Sequence, residues 1–243
     1  VVGHYERLAG RYDELLSYSD DFVPRLAERM IRELRLEPDD RLVDLGGGSG
    51  LYSIEIVRQL PLRHPVLCVD PVQAMLDRIP EDAPLEPLCL DALRFSREDR
   101  GYDKILMKEA IHHVDEKEEL FANLYQRLPR GGVLLLIHVP PKLDYPLFEA
   151  ALRRSETWHA HPEDLVRWLE TAGFEAVPGQ HVHRHRMPVE RYMAMVANQY
   201  MSVLSSFSRA EIDEGLREME RMHAGKEMLE FDDRFDVITA VKR

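Results

Sequence analysis

Cysteine is scarce in this sequence: Cys68 and Cys89 are the only two among 243 residues. A disulfide framework is therefore excluded as the main source of stability, and the spacing is not that of a zinc site. Both are expected to be reduced, structural thiols, which suits a cytoplasmic protein. Long apolar runs are missing as well. The longest, Val133 to Val139, is strand-sized and far short of the roughly 18 residues of a transmembrane helix, so no membrane partner is expected. No signal-peptide pattern opens the chain, which starts at Val1 rather than methionine, so a few residues are expected to precede it. Basic residues are in deficit, 32 Lys and Arg against 44 Asp and Glu, for a net charge of −12. With no broad basic stripe to neutralise phosphates, a nucleic-acid partner is disfavoured. There is no repeat or low-complexity tract, and the length suits one large core, so residues 1–243 are expected to form a single domain.

Glycine is also sparse, 13 in all, yet four stand in LVDLGGGSG, residues 42–50. Glycine in an element interior gives up backbone entropy and packs nothing, so the cluster is either a surface turn or a backbone that must approach a ligand. The flanks favour the ligand. Leu42, Val43 and Leu45 suit a buried strand, and Leu51, Ile54, Ile56, Val57 and Leu60 recur at roughly helical spacing up to Pro61. A glycine loop between strand and helix presents free amides to a polar or anionic group. The dinucleotide pattern Gly-x-Gly-x-x-Gly fails at Leu51 when read from Gly46, and at Ser49 when read from Gly47. No Gly-Lys pair marks a triphosphate loop. What stands here is Asp44-x-Gly46-x-Gly48-x-Gly50.

Further acids follow at the ends of later apolar runs: Asp70 in HPVLCVDP and Asp91 in LEPLCLDAL. Then come YDKILMKEAIHHV and GGVLLLIHV. As a set in this order, the motifs resemble class I S-adenosylmethionine (SAM)-dependent methyltransferases over most of residues 1–186. The resemblance implies a Rossmann-like, doubly wound α/β fold with seven mostly parallel strands, an N-terminal helical lid (residues 1–36) and a helical substrate insertion (187–225) before the last strand. It implies SAM as cofactor. The loop of Gly46, Gly47, Gly48 and Gly50 would wrap the amino acid part of SAM, with Asp44 positioning its ammonium group. Asp70 would accept the ribose hydroxyls, Pro71, Val72 and Met75 would lie against adenine, and Asp91 with Ala92 would meet its amino group. Lys108, in the fourth motif, joins this cofactor-binding set.

The remaining segments read mostly as helices. Tyr5, Leu8, Ala9, Tyr12, Leu15 and Leu16 form one helical face, and Phe22 to Leu36 a second helix behind Asp20 or Asp21 as cap. A helix runs from Pro162 to a stop at Gly173. A long helical pattern runs from Val189 to Phe207, and Ser208 caps another helix to about Met222. Resemblance is closest to the small-molecule branch, where a Tyr-Asp pair, here Tyr12-Asp13, sits on a helix that folds over SAM. The methionine- and tyrosine-rich insertion suits an apolar or flat substrate, or else ordinary helix core or a homodimer contact.

Methyl transfer needs orientation and a free lone pair, with a base only where the acceptor is protonated. His113, just beyond the fourth strand, and His138, at the end of the fifth, are the candidate bases, with Tyr12 as a third catalytic candidate. Tyr5, His112, Tyr192 and Tyr200 are candidate substrate contacts. His181, His183 and His185 share one face of a strand, but no carboxylate or cysteine stands among them, so a solvated strand rather than a metal site is expected. The sequence is read as that of an enzyme of methyl transfer to oxygen or nitrogen of a small metabolite. Its rivals are a SAM-using enzyme of different chemistry, such as cyclisation, and a non-catalytic SAM-binding regulator.

Overall fold

The computed structural model describes residues 2–11 and 19–243. The apolar runs become strands β1 (Leu42–Leu45), β2 (Val66–Asp70), β3 (Leu85–Cys89), β4 (Lys104–Lys108) and β5 (Val133–His138), all parallel. Two longer strands, β6 (Phe174–Pro188) and β7 (Met228–Lys242), complete one sheet in the order β3-β2-β1-β4-β5-β7-β6. β7 runs antiparallel to both its neighbours. The strand order reverses between β1 and β4, which opens a crevice at their carboxyl ends, the usual ligand position in such sheets. This is the seven-stranded, mostly parallel α/β sheet expected.

Helices cover both faces: α1 (Val2–Leu8), α2 (Phe22–Leu34), α3 (Leu51–Gln59), α4 (Gln73–Leu76), α5 (Ala92–Arg97), α6 (Lys117–Arg127), α7 (Glu149–Trp158), α8 (Pro162–Ala172), α9 (Val189–Ala197) and α10 (Arg209–Met222). The period-2 alternation of a strand divides the core between the faces. In β5, Val133, Leu135 and Ile137 join one cluster with α2, α3, α9 and α10, whereas Leu134 and Leu136 join the other with α6 and α8. Phe22, Leu26, Met30 and Leu34 recur every fourth residue of α2 and are all buried. Each such side chain contributes about 1.5–3 kcal/mol by leaving water, which fixes α2 on the sheet. Gly173 ends α8 with φ of 106°, and Ser208 with Glu211 forms a reciprocal capping box at the start of α10, both as the sequence indicates.

Four expectations need correction. The pattern over Val189–Phe207 is not one helix: α9 stops at Ala197, and a 3-10 turn covers Ser202–Ser206. Gln199 takes a left-handed φ of 53°, and its amide donates to the carbonyls of Leu204 and Phe207 at 2.8 and 3.0 Å, stabilising the break. The histidine face of β6 is not solvated. His183 and His185 are buried, with ring centroids 5.1 and 4.9 Å from that of Phe22, while Arg184 and Arg186 on the other face reach Glu230. Alternation identified the two faces; the docking of α2 decides which is covered. The first helix ends at Leu8 and continues as a 3-10 turn over Ala9–Arg11, while Tyr12, Asp13, Leu15 and Leu16 lie outside the described residues. Asp21 precedes α2 without a capping bond, accepting instead from Ser19 Oγ at 2.9 Å and pairing with Arg25. Cys68 is buried and Cys89 exposed, and both are free thiols.

Candidate functional site

The glycine loop turns from β1 into α3 with a left-handed backbone at three of its four glycines: φ is 83° at Gly46, 55° at Gly48 and 73° at Gly50. A side chain would be strained at each. The amides of Gly46 and Gly47 both donate to Val69 O, at 2.7 and 3.2 Å, which ties the loop to β2. A Cβ at Gly47 would lie 2.6 Å from Cys68 Sγ and 2.8 Å from Asp44 Oδ2, so the backbone there is in contact with the acid itself. Asp44 is 3% exposed and accepts from Ser53 Oγ at 2.6 Å. Burial pushes its carboxyl up to about 6, against the pull of the Ser53 hydroxyl, with the Asp70 charge adding to the rise.

Asp70 ends β2. Its Oδ2 accepts from Gly48 N at 3.0 Å and its Oδ1 from Val72 N at 2.8 Å, so one carboxylate links the glycine loop to the start of α4. Burial raises this carboxyl too, and the two amides hold it back. Asp91 follows β3 as the cap of α5, accepting from Arg94 N at 2.9 Å. Lys108, the last residue of β4, lays its ammonium over the rings of Tyr52 and Phe235, 4.8 and 5.3 Å from their centroids.

These groups surround a cavity of about 270 Å³. Among the expected cofactor residues, Asp44, Gly46, Gly47, Gly48, Asp70, Pro71, Met75, Asp91, Ala92 and Lys108 all line it, with Val72 beside them. Gly50 does not. It is the N-cap of α3, and a Cβ there would lie 2.6 Å from Leu85 Cδ2, so its role is the turn and its packing. The donor set fits SAM: two buried carboxylates without an ion pair among the described residues, a close backbone cradle, and apolar walls from Val72 and Met75.

Of the other candidates, Tyr5 and His113 line the same cavity, and Tyr5 Oη lies 3.1 Å from His113 Nε2. Burial pushes the His113 ring down to about 4. A second cavity, about 50 Å³, adjoins the first and shares Tyr5, Tyr52, Lys108 and Glu109 with it. His112 and Tyr200 line this one, and His112 Nε2 lies 3.1 Å from Ser202 Oγ. Tyr192 is fully buried outside both cavities, its hydroxyl 3.3 Å from that of Tyr200. His138 also lines neither. As the final residue of β5 it sits opposite Asp236 of β7, with Nδ1 3.0 Å from Val139 O. Tyr12 lies outside the described residues.

Sequence reasoning missed six polar residues of the second cavity: Tyr52, Glu109, Tyr145, His159, Ser202 and Asp233. Glu109 was within reach, since it follows Lys108 in the fourth motif. Asp233 takes a hydrogen bond from Tyr145 and lies 3.3 Å from His185 Nε2, contacts that only the fold creates. No spacing in the sequence points to His159 or Ser202.

Comparison with known proteins accords with this geometry. The methyltransferase-domain family matches residues 11–186, more than half of the chain. An uncharacterized methyltransferase of Mycobacterium tuberculosis is 24% identical over 143 residues, covering 58% of this chain and 65% of that protein. Demethylspheroidene O-methyltransferase of Rhodobacter capsulatus is 27% identical over 183 residues, covering 70% of this chain and 44% of the relative. The chain thus spans less than two thirds of the length of either. A solved structure assigned to a methyltransferase of an antibiotic biosynthesis pathway in Anabaena variabilis superposes with a TM-score of 0.70 at 18% identity, covering 89% of this chain and 96% of that one.

Proposed function

The chain belongs to the class I SAM-dependent methyltransferase family, and from that premise we propose that it transfers a methyl group to an oxygen or nitrogen of a small metabolite. The observation that carries this reading is the small second cavity, which meets the cofactor cavity at Tyr5, Tyr52, Lys108 and Glu109. A volume of about 50 Å³ suits a compact group and not a polymer segment. The charge of −12 supports the same choice, since nucleic acid would be repelled. On this reading residues 1–36 form a lid and residues 187–225 an acceptor-side insertion of a single methyltransferase domain. The insertion's 3-10 turn supplies Ser202 to the second cavity.

Bound SAM supplies a methyl group already activated on a sulfonium, so what this chain provides is placement. Asp70 and the close-approaching backbone of the glycine loop would hold the cofactor's polar groups, and Asp44 would meet its ammonium. Val72 and Met75 cover the base. Tyr5, held by His113, lines both cavities where they meet and would help to exclude water from a bound cofactor. Incubation with SAM and a protein-free metabolite extract, followed by mass spectrometry, tests the proposal. A product heavier by one methylene, formed together with S-adenosylhomocysteine, is expected. Methylthioadenosine formed without any acceptor would replace methyl transfer with the cyclisation reading, and SAM binding without turnover would favour the regulator.

A further inference from the structure

Glu109 stands where β4 ends, in a conformation that non-glycine residues rarely adopt, with φ of 53°. Such outliers persist where the surroundings over-determine them, and they gather at functional sites. Two bonds hold this one: Glu109 N donates to Ile137 O at 2.8 Å, and its Oε1 accepts from Val139 N at 2.6 Å. Among the described residues no hydrogen bond is made to Oε2. The side chain lines both cavities.

We propose that the second cavity is the acceptor site and that Glu109 is the catalytic residue that takes the acceptor's proton. This rests on the methyl-transfer reading above. The acceptor class follows from the cavity. Its charged groups are Lys108 at the end of β4, Glu109 just after it and Asp233 from β7, so two acids face one cation and an anionic acceptor is disfavoured. Tyr5 from α1, Tyr52 from α3, Tyr145, Tyr200 and the neutral rings of His112 and His159 are the other titratable groups packed there. His159 is 6% exposed with neither ring nitrogen hydrogen-bonded, so a second polar group of the ligand has a partner waiting. The volume of about 50 Å³ is a third of the about 150 Å³ that accommodates benzene. The part that enters is therefore compact, a neutral or cationic amine or alcohol of a few non-hydrogen atoms.

In the transfer, the nitrogen or oxygen lone pair forms the bond to the methyl carbon while the methyl–sulfur bond breaks and leaves its electron pair on sulfur. An acceptor that arrives as an ammonium first gives one proton to the Glu109 carboxylate, which frees that lone pair, and a neutral N–H or O–H gives its proton there during the transfer. Glu109 then passes the proton to solvent, so atoms and charge balance. Burial pushes the Glu109 carboxyl up to about 7, with Lys108 and the Val139 amide holding it back and Asp233 adding to the rise. A base is best matched to its task near the working pH. The histidines are less suited: His113 is tied to Tyr5, His112 to Ser202, His138 lines neither cavity, and burial pushes His159 down to about 3, far below the working pH of a base.

Glu109→Gln tests this, because it keeps the shape and an oxygen for the Val139 amide. Wild type and variant would be compared for SAM affinity by calorimetry and for methyl transfer from labelled SAM to a protein-free metabolite extract at several pH values. The expected result is SAM affinity within about twofold and product formation lowered about 100-fold or more. The wild-type rate should rise with pH to a plateau above about 7, a limb missing from the variant. Fragment spectra should place the methyl on nitrogen or on oxygen, which separates the two acceptor sources. Independently of turnover, the carbon-13 carboxyl signal that Glu109→Gln removes should titrate near 7. A variant with wild-type rate and pH profile overturns the proposal, as does a methyl found on a carboxylate or on carbon. Wild-type protein that binds no SAM overturns the methyl-transfer reading itself.

Discussion

Replacing Asp70 with asparagine exchanges one carboxylate oxygen for an amide nitrogen and leaves the size of the side chain almost unchanged. In the native protein both oxygens accept backbone amides, from Val72 at 2.8 Å and from Gly48 at 3.0 Å. The asparagine oxygen can keep one of these, and its NH2 then faces the other amide, donor against donor. Losing one hydrogen bond to a charged group costs about 1.5–3 kcal/mol, and that loss should appear in the urea midpoint. Because burial raises the Asp70 carboxyl, its ionisation works against folding. Stability tied to this group is fully present below the ordinary carboxylate value and is lost as pH rises through the raised one, so the gap between wild type and variant should narrow with rising pH. Cofactor affinity should fall for a separate reason. A carboxylate accepts two ribose hydroxyls and an amide oxygen serves them poorly, so about 1.5–3 kcal/mol is lost, roughly 10- to 150-fold in Kd. Calorimetry at neutral pH reads this directly. A folded Asp70→Asn protein with unchanged SAM affinity would remove Asp70 from the cofactor site.

Gly46→Ala should destabilise by about 1–3 kcal/mol more than Gly48→Ala, because a Cβ at Gly46 would lie 2.4 Å from Ala110 Cβ, whereas at Gly48 it meets the mobile end of Met75 at 3.1 Å. Gly48→Val should keep the sheet and lose SAM binding; equal urea midpoints for the two alanine variants, or normal binding by the valine one, would refute the cradle. Tyr5→Phe should cost about 0.5–1.5 kcal/mol through its bond to His113, and hydrogen exchange over residues 2–11 should slow when SAM is added. Equal exchange rates leave α1 as fixed packing. Burial pushes His159 down to about 3 and His113 to about 4, below the ordinary 6.5, so the unfolded chain takes the protons first. Stability should then fall as pH drops below about 6.5, by about 1.4 kcal/mol per pH unit for each ring, and His159→Leu should shed one ring's share of that slope.

The cofactor side was legible because its residues are local in sequence. Asp44, the glycines, Asp70 and Asp91 each end or follow one short apolar run, and a parallel sheet brings such ends to one edge. The acceptor side was legible only at Tyr5, His112 and Tyr200, because its walls come from segments far apart. Glu109, His159 and Asp233 lie just after β4, just after α7 and on β7, and no spacing relates them. His138 was a candidate base from its place at the end of the fifth strand. It does end β5, but β7 pairs directly against β5 and sets this residue opposite Asp236, outside both cavities. Likewise, alternation divided His183 from Arg184 correctly, while only the docking of α2 buries the histidines.

β7 lies between β5 and β6, although it follows β6 in the chain. During synthesis, β1 to β5 can pair as they emerge, and β6 then has no neighbour in the sheet until residues 228–242 arrive. A ribosome paused before Met228 would present a nearly finished cofactor crevice beside the open edge of β5, whose six residues Val133–His138 are all buried in the finished protein. Unpaired apolar edges of this kind invite mispairing and are targets for chaperones. Asp233 and Phe235 arrive with the same strand, so insertion of β7 closes the hazardous edge and completes the wall of the second cavity in one event.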